Sequence, residues 1–299
     1  MQLTAPLYYK KFKCIADKCV HGCCSRWEID IDPDTLQRYK ADDDIMQTLE
    51  YDADGTPHFK LCKNKECPHL TENKLCSIII NHGEQYLCDI CREHPRFYNN
   101  NGKTMEVGLG ASCEEACRLI FECEDYITTQ AIGQIDFEKW QSDFNAVAQR
   151  TRLYKTLCNT ALDYDGRLTA LYGTYKISPA TLSDDEWQEI FLHLEYLDCQ
   201  SKALFCGYNY TTKTPDAIKQ YAERYLAYLI YRHTSTAQSY EEFCAALGFC
   251  FLCERMFVYL VGERPRLDNV IDCARIISEE IEYSDCNTDD IMFEFECMV

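Results

Sequence analysis

Twelve of the 21 cysteines lie within the first 123 residues, and four of them share one run, Cys14, Cys19, Cys23 and Cys24. Thiolates this close can converge on one soft cation, because sulfur suits zinc and iron-sulfur iron, and each thiol must lose its proton to bind. A second set follows at Cys62, Cys67, Cys76, Cys88, Cys91, Cys113, Cys117 and Cys123. Cys88 and Cys91 form a CxxC pair, which brings two ligands onto one metal and by itself is also a redox motif. No βαβ pattern surrounds it, so a thioredoxin-like reading has little support. The spacing implies a metal site and leaves the metal open. Lys10, Lys11, Lys13, Lys18 and Arg26 surround the first run and either lower its thiol pKa values or simply solvate the surface. His21, His58, His69, His82 and His94 lie in the same third, but a single histidine is more often a hydrogen-bonding or surface residue than a ligand. Cys117, Cys123 and the nine cysteines after residue 150 are dispersed in apolar helical contexts and read as packing residues.

Two other uses of so much sulfur are free structural thiols and disulfides. Disulfides need an oxidising compartment, and Met1 to Phe12 lacks the apolar stretch of a signal peptide. The adjacent pair Cys23 and Cys24 and the odd total also suit a disulfide ladder poorly. The expectation is a reducing cytoplasm and a metal or iron-sulfur module.

The elements that must hold these groups fall into two zones, a cysteine-rich metal or iron-sulfur module over residues 1–125 and a helical domain over 126–299. The fold class expected is mainly α, a loop-rich N-terminal module followed by a C-terminal helical bundle. In the first zone EIDIDP suggests a brief strand through Ile29 and Ile31, and Asp34 with Thr35 a helix start. In the second, helices are expected over Phe137 to Leu157, over Asp184 to Leu197 with acids in its first turn, over Asp216 to Tyr231 after Pro215, over the segment capped by Ser239 and running through Val261, and over Leu267 to Tyr283. The longest apolar stretch, Phe243 to Gly262, carries Glu254 and Arg255 at its centre and reads as a buried helix, not a membrane span.

Net charge is −19, with 15 basic against 21 acidic residues through position 124 and 15 against 28 beyond it. Such a field repels nucleic-acid phosphates and attracts a cationic partner such as a lysine-bearing protein surface, or merely confers solubility.

Three stretches, FKCIADKCVHGCCSRWEIDID, CPHLTENKLCSIIINHGEQYLCDICREHPR and SCEEACRL, taken together resemble the flagellin lysine-N-methylase family of motile bacteria. The matching positions are Cys14, Cys19, Cys23 with Cys24, Trp27, Cys67 with Pro68, Cys76, Cys91 with Pro95 and Arg96, and Cys113. Arg26 stands for the family's glycine, His69 and His94 for aromatic residues, and Glu114 for proline; none of these removes a thiolate. YAERYLAYLIYRH at 221–233 is similar to an aromatic-rich helix of the family. ISEEIEYSDCN at 277–287 keeps Ser278, Glu280, Ile281, Glu282, Ser284 and Asn287 of its SREIEHSEEN, while Glu279 and Tyr283 depart.

The resemblance implies methyl transfer from S-adenosylmethionine to lysine side chains of flagellin, with a cysteine-bound [4Fe-4S] cluster whose ligand candidates are Cys14, Cys19, Cys23, Cys24, Cys67, Cys76, Cys91 and Cys113. A lysine must be deprotonated before it can attack, which calls for desolvation or a nearby acceptor, and aromatic faces attract a sulfonium. Tyr225, Tyr228, Glu280 and Glu282 are the candidates for such roles, although tyrosines at helical spacing are more often core. The two glutamates lie two residues apart, so at most one faces a shared site, and solvent exposure or a structural hydrogen bond is the plainer expectation for both. VGLGAS has a GxG without the further glycine of a dinucleotide loop, and neither a SET-domain signature nor the CxxxCxxC run of radical enzymes is present. Two rivals stand beside this reading, a non-catalytic zinc-binding interaction protein and an iron-sulfur redox protein.

Overall fold

The computed structural model describes residues 2–263 and 265–298. The chain is helix-rich with a small sheet. Its strands, among the described residues, are β1 (Gln2–Pro6), β2 (Leu49–Tyr51), β3 (Pro57–Phe59), β4 (Arg96–Asn100), β5 (Met105–Leu109) and β6 (Thr129–Gln134). Compactness divides the chain into a small unit, residues 13–96 with 113–115, and a large unit, residues 1–12, 97–112 and 116–299.

The small unit is built from short pieces round a modest core of Ile31, Tyr39, Ile45, Phe59, Ile78 and Cys88, with Cys67, Cys76 and Cys91 packed against it. Its first helix, Pro33–Tyr39, is capped by Asp32, whose carboxylate accepts from the Thr35 N–H at 2.9 Å. Asp34 therefore falls inside the first turn and does not begin the helix, because Pro33 already supplies the φ of a first helical residue. EIDIDP forms no strand; only a single bridge joins Asp30 to His58. The pairing it lacks is taken by the β2–β3 hairpin, in register Leu49 with Phe59 and Glu50 with His58. Cys76 and Cys88 occupy the N-cap positions of the short helices Ser77–His82 and Asp89–Glu93.

In the large unit the sheet order is β4-β5-β1-β6, with β1 parallel to β5 and antiparallel to β6. Helices cover Ala146–Leu157, Tyr164–Tyr175, Asp184–His193, Lys219–His233, Tyr240–Val261, Leu267–Ile277 and Asp285–Glu296, with shorter turns between. The helix expected from Phe137 begins at Ala146, where Asn145 caps it by accepting from the Ala148 N–H. Ser183 closes a capping box with Glu186, so acids in the first turn mark that helix as expected. Ser239 caps Tyr240–Val261. This helix is long and apolar enough to cross a membrane by length and composition, yet 89% of the qualifying stretch is buried inside the protein. Its internal charges are answered locally: Arg255 Nε donates to Glu254 at 2.6 Å, Tyr164 donates to Glu254 at 2.9 Å, and Arg255 donates to Thr214 at 2.9 Å.

The last expected helix is not continuous. After Ile277 the backbone widens into a π segment, Ser278–Glu282, closed by the Tyr283 N–H bonding to the Ser278 carbonyl at 3.1 Å, and a further helix follows at Asp285. Such widened turns insert one residue into the helical ladder and often accompany functional positions.

Candidate metal centre and buried charge network

All the cysteines are free thiols. The eight cysteines singled out in the sequence all belong to the small unit, and their sulfurs feel one another. Cys23 shares a hydrogen bond with Cys24 and lies in the field of Cys113 and Cys14, and Cys19 also feels Cys113. Cys24 in turn acts on Cys67, Cys76 and Cys91. Its carbonyl accepts from the Cys67 N–H at 2.8 Å, which ties the first cysteine run to the second. Cys88 joins this group beside Cys91 and Cys76, and Cys62 beside Cys67. The CxxC spacing was the signal for Cys88. Cys117 and Cys123 lie in the large unit, where their thiols donate to the carbonyls of Ala111 and Asp125. Of the later cysteines, Cys244, Cys250, Cys253 and Cys273 are buried as packing residues, whereas Cys199, Cys286 and Cys297 are exposed, which corrects the packing reading for those three.

Two opposing effects set the protonation of these thiols. Burial pushes Cys67 up to about 12 and raises Cys76, while backbone N–H groups of His69, and of Ile78 with Ile79, aim at the two sulfurs and favour the thiolate. Cys24 is lowered to about 7 by the hydrogen bond from Cys23, against the effect of burial. Cys19 is pushed up to about 12 by burial and then by the Glu114 carboxylate, to which it donates at 3.4 Å. N–H groups directed at sulfur are the contacts that stabilise and tune metal-bound thiolates.

The large unit carries a second feature. Glu282, on the π segment, is fully buried and its Oε2 accepts from Tyr228 at 2.8 Å and His233 at 3.0 Å, with Arg232 Nε at 3.3 Å. Burial alone would raise its pKa, but Arg232, His233 and Tyr228 outweigh it and hold the carboxyl below the usual range. Burial lowers His233, which stays neutral and donates to Glu282. The Tyr228 hydroxyl also accepts from the Ala111 N–H at 2.9 Å and Arg232 at 3.0 Å. The Tyr225 hydroxyl and Glu282 Oε1 are buried and make no hydrogen bond. Glu280 points elsewhere, accepting from the Leu197 N–H at 2.7 Å. The two glutamates do face different partners, and neither is solvent-exposed. Tyr228 and Tyr231 line a narrow cleft with Tyr8, Tyr126, Tyr154 and Arg224.

The glycines of VGLGAS serve close packing and no nucleotide loop. A methyl group on Gly110 would lie 2.1 Å from the Tyr283 hydroxyl and 2.8 Å from an Arg232 nitrogen. Gly110→Ala is therefore expected to displace Arg232 from the Tyr283 ring, 4.4 Å away, and to lower stability by about 1–3 kcal/mol in urea unfolding.

Comparison with curated proteins finds relatives at 25% identity. The chain is similar to lysine-N-methylases. Those of Salmonella typhimurium and Salmonella choleraesuis each align over 138 residues, 41% of this chain and 33% of theirs. The flagellar biosynthetic protein FliU of Salmonella muenchen aligns over 162 residues, 51% of this chain and 94% of its own. The chain thus spans about a third of the length of the lysine-N-methylases it matches. No family model matches, and no solved structure does.

The departures from the methylase-like pattern have structural occupations. Glu114, in place of proline, accepts from the Val20 and His21 N–H groups at 2.9 and 3.3 Å and so fixes the loop that carries Cys19. His69 is buried against Phe59 and hydrogen-bonds Thr48 at 2.9 Å. Glu279 pairs with Arg275 at 2.5 Å, and Tyr283 lies under Arg232. The retained positions are a joint: Ser284 caps the last helix through the Asn287 N–H, and Asn287 donates to the carbonyls of Glu195 and Glu280.

Proposed function

We propose that the chain is an S-adenosylmethionine-dependent protein lysine N-methyltransferase that acts on flagellin in the cytoplasm before export, and that Cys14, Cys19, Cys23, Cys24, Cys67, Cys76, Cys91 and Cys113 supply the ligands of a [4Fe-4S] cluster. The similarity to lysine-N-methylases carries the activity. The name of the FliU relative supports a flagellar setting. One such cluster takes four thiolates, so the remaining sulfurs serve a second centre or the fold.

Thiolates are the ligands that such a cluster takes, and the same sulfurs would suit zinc, the metal of the rival reading. N–H groups on Cys67, Cys76 and Cys88 favour the charged sulfur that iron requires.

S-adenosylmethionine, when bound, supplies the electrophilic methyl group. The protein must keep the attacking lysine neutral and the sulfonium oriented. Burial keeps Tyr228 a neutral phenol and Arg232 keeps Glu282 a carboxylate, so Glu282 is a poor acceptor of a lysine proton. In this reading Glu282 and Tyr228 hold charge and geometry. Glu280 holds the segment through Leu197 and is given no chemical role.

The test incubates anaerobically reconstituted protein with unassembled flagellin and methyl-labelled S-adenosylmethionine. Mass spectrometry is expected to find lysines carrying the label. Flagellin left unlabelled by iron-loaded protein, in a mixture where the Salmonella typhimurium lysine-N-methylase labels it, would overturn the assignment.

A further inference from the structure

A second cluster of ligand atoms lies in the small unit and uses no cysteine. One ligand atom each from Asp30, Asp52 and His58 lie within 4.8 Å of one another. His58 sits on β3 with its side chain 6% exposed, while the two aspartates are exposed. Its Nδ1 is buried, makes no hydrogen bond, and lies 3.6 Å from Asp52 Oδ1. The opposite ring nitrogen, Nε2, lies 3.3 Å from Glu50 Oε1, and Lys60 is 3.5 Å from the other Glu50 oxygen.

We propose that Asp30, Asp52 and His58 form a site for a divalent first-row transition ion, separate from the thiol cluster. Glu50 lies on the Nε2 side and leaves the buried Nδ1 facing Asp52, with an Asp30 carboxylate in the same group, the arrangement in which a carboxylate orients a metal-binding imidazole. One imidazole and two carboxylates are borderline-to-hard donors that select such ions over the soft ions thiolates prefer. Bonds of about 2.0–2.2 Å bring neighbouring ligand atoms about 3–3.5 Å apart, so closure needs a movement of about 1 Å, which exposed aspartates can make round a fixed histidine.

The backbone has already gathered the three residues. Glu50 and His58 are cross-strand partners, Asp30 bridges to His58, and the Ile31 N–H donates to Pro57 at 2.8 Å. Asp52 is held at the hairpin turn by its N–H to Thr56 at 3.0 Å and its carbonyl to the Gly55 N–H at 2.9 Å. A bound ion would clip the hairpin to the segment that leads into the Pro33–Tyr39 helix, with its remaining positions open to water or an anionic ligand.

Cobalt(II) distinguishes this site from the thiols, because sulfur ligation gives intense near-ultraviolet charge transfer and nitrogen-oxygen ligation gives only weak visible bands. The protein with its cysteine centre loaded is titrated with Co²⁺. One equivalent is expected to bind with the weak bands alone. Asp30→Asn with Asp52→Asn should remove it, and Glu50→Gln should weaken binding about 10-fold. The aspartates are exposed, so these variants retain the fold, which circular dichroism verifies, and buried His58 is left untouched. Binding that persists in the double variant, or no cobalt bound without sulfur charge transfer in the parent protein, overturns the site and leaves His58 as a structural contact of its acidic neighbours.

Discussion

Alanine at Cys24 is expected to abolish the brown colour of anaerobically prepared protein and to reduce flagellin methylation by more than about 100-fold, whereas alanine at exposed Cys199 changes neither. Cys24 acts on more of the second cysteine run than its neighbour Cys23 does, since it reaches Cys67, Cys76 and Cys91 while Cys23 reaches Cys91. Stability should respond as well. The small unit rests on six fully buried apolar residues, too few to hold so many loops, so a bound centre would contribute much of its folding free energy. Hydrogen exchange over 13–96 should accelerate in Cys24→Ala while Tyr240–Val261 stays protected. Unchanged iron content and exchange in the variant would remove Cys24 from the centre.

Glu282→Gln carries the second large effect. It leaves Arg232 buried without its counter-charge, and breaking such a pair costs about 3–5 kcal/mol, against a total stability of about 5–15 kcal/mol for a typical domain. The pH dependence distinguishes this loss from a packing defect. Glu282 has a lower pKa folded than unfolded, so its contribution is complete above the ordinary carboxylate value of 4.5 and is lost as the pH falls through the folded value. His233 is also depressed on folding, so protonation of the unfolded chain below about 6.5 draws stability away as the medium is acidified. Urea unfolding of the parent protein should therefore weaken from pH 7 downward in two stages. In Glu282→Gln the stage below 4.5 should flatten while that of His233 persists. An equal decline in both proteins would show that the Glu282 ion pair is not what holds this region.

What the sequence revealed followed the range of each interaction. Local signals survived: Ser183 with Glu186 and Ser239 with Glu242 bond residues three apart, and those helix starts were readable from composition. Features made by distant partners were not. β1 pairs with residues about a hundred positions later, and nothing within Gln2–Pro6 announces that neighbour. Helical periodicity carried smoothly through 267–283, yet the π turn at Ser278–Glu282 moves every side chain after it by one place. At the candidate site the spacing only nominated cysteines as ligands, and that Glu114 secures the Cys19 loop, or that Asp30 meets His58, depends on contacts that no local pattern encodes.

Cys113, Glu114 and Glu115 belong to the small unit, while the residues on either side of them belong to the large one. The chain leaves the small unit after residue 96 and returns to it for three residues only. A gene fragment ending at 96 would therefore encode a set of thiols short by one and a Cys19 loop without its carboxylate latch. Recombination between related genes could not pass the small unit's cysteines on as a cassette, and their inheritance would be bound to that of the segments that flank Cys113.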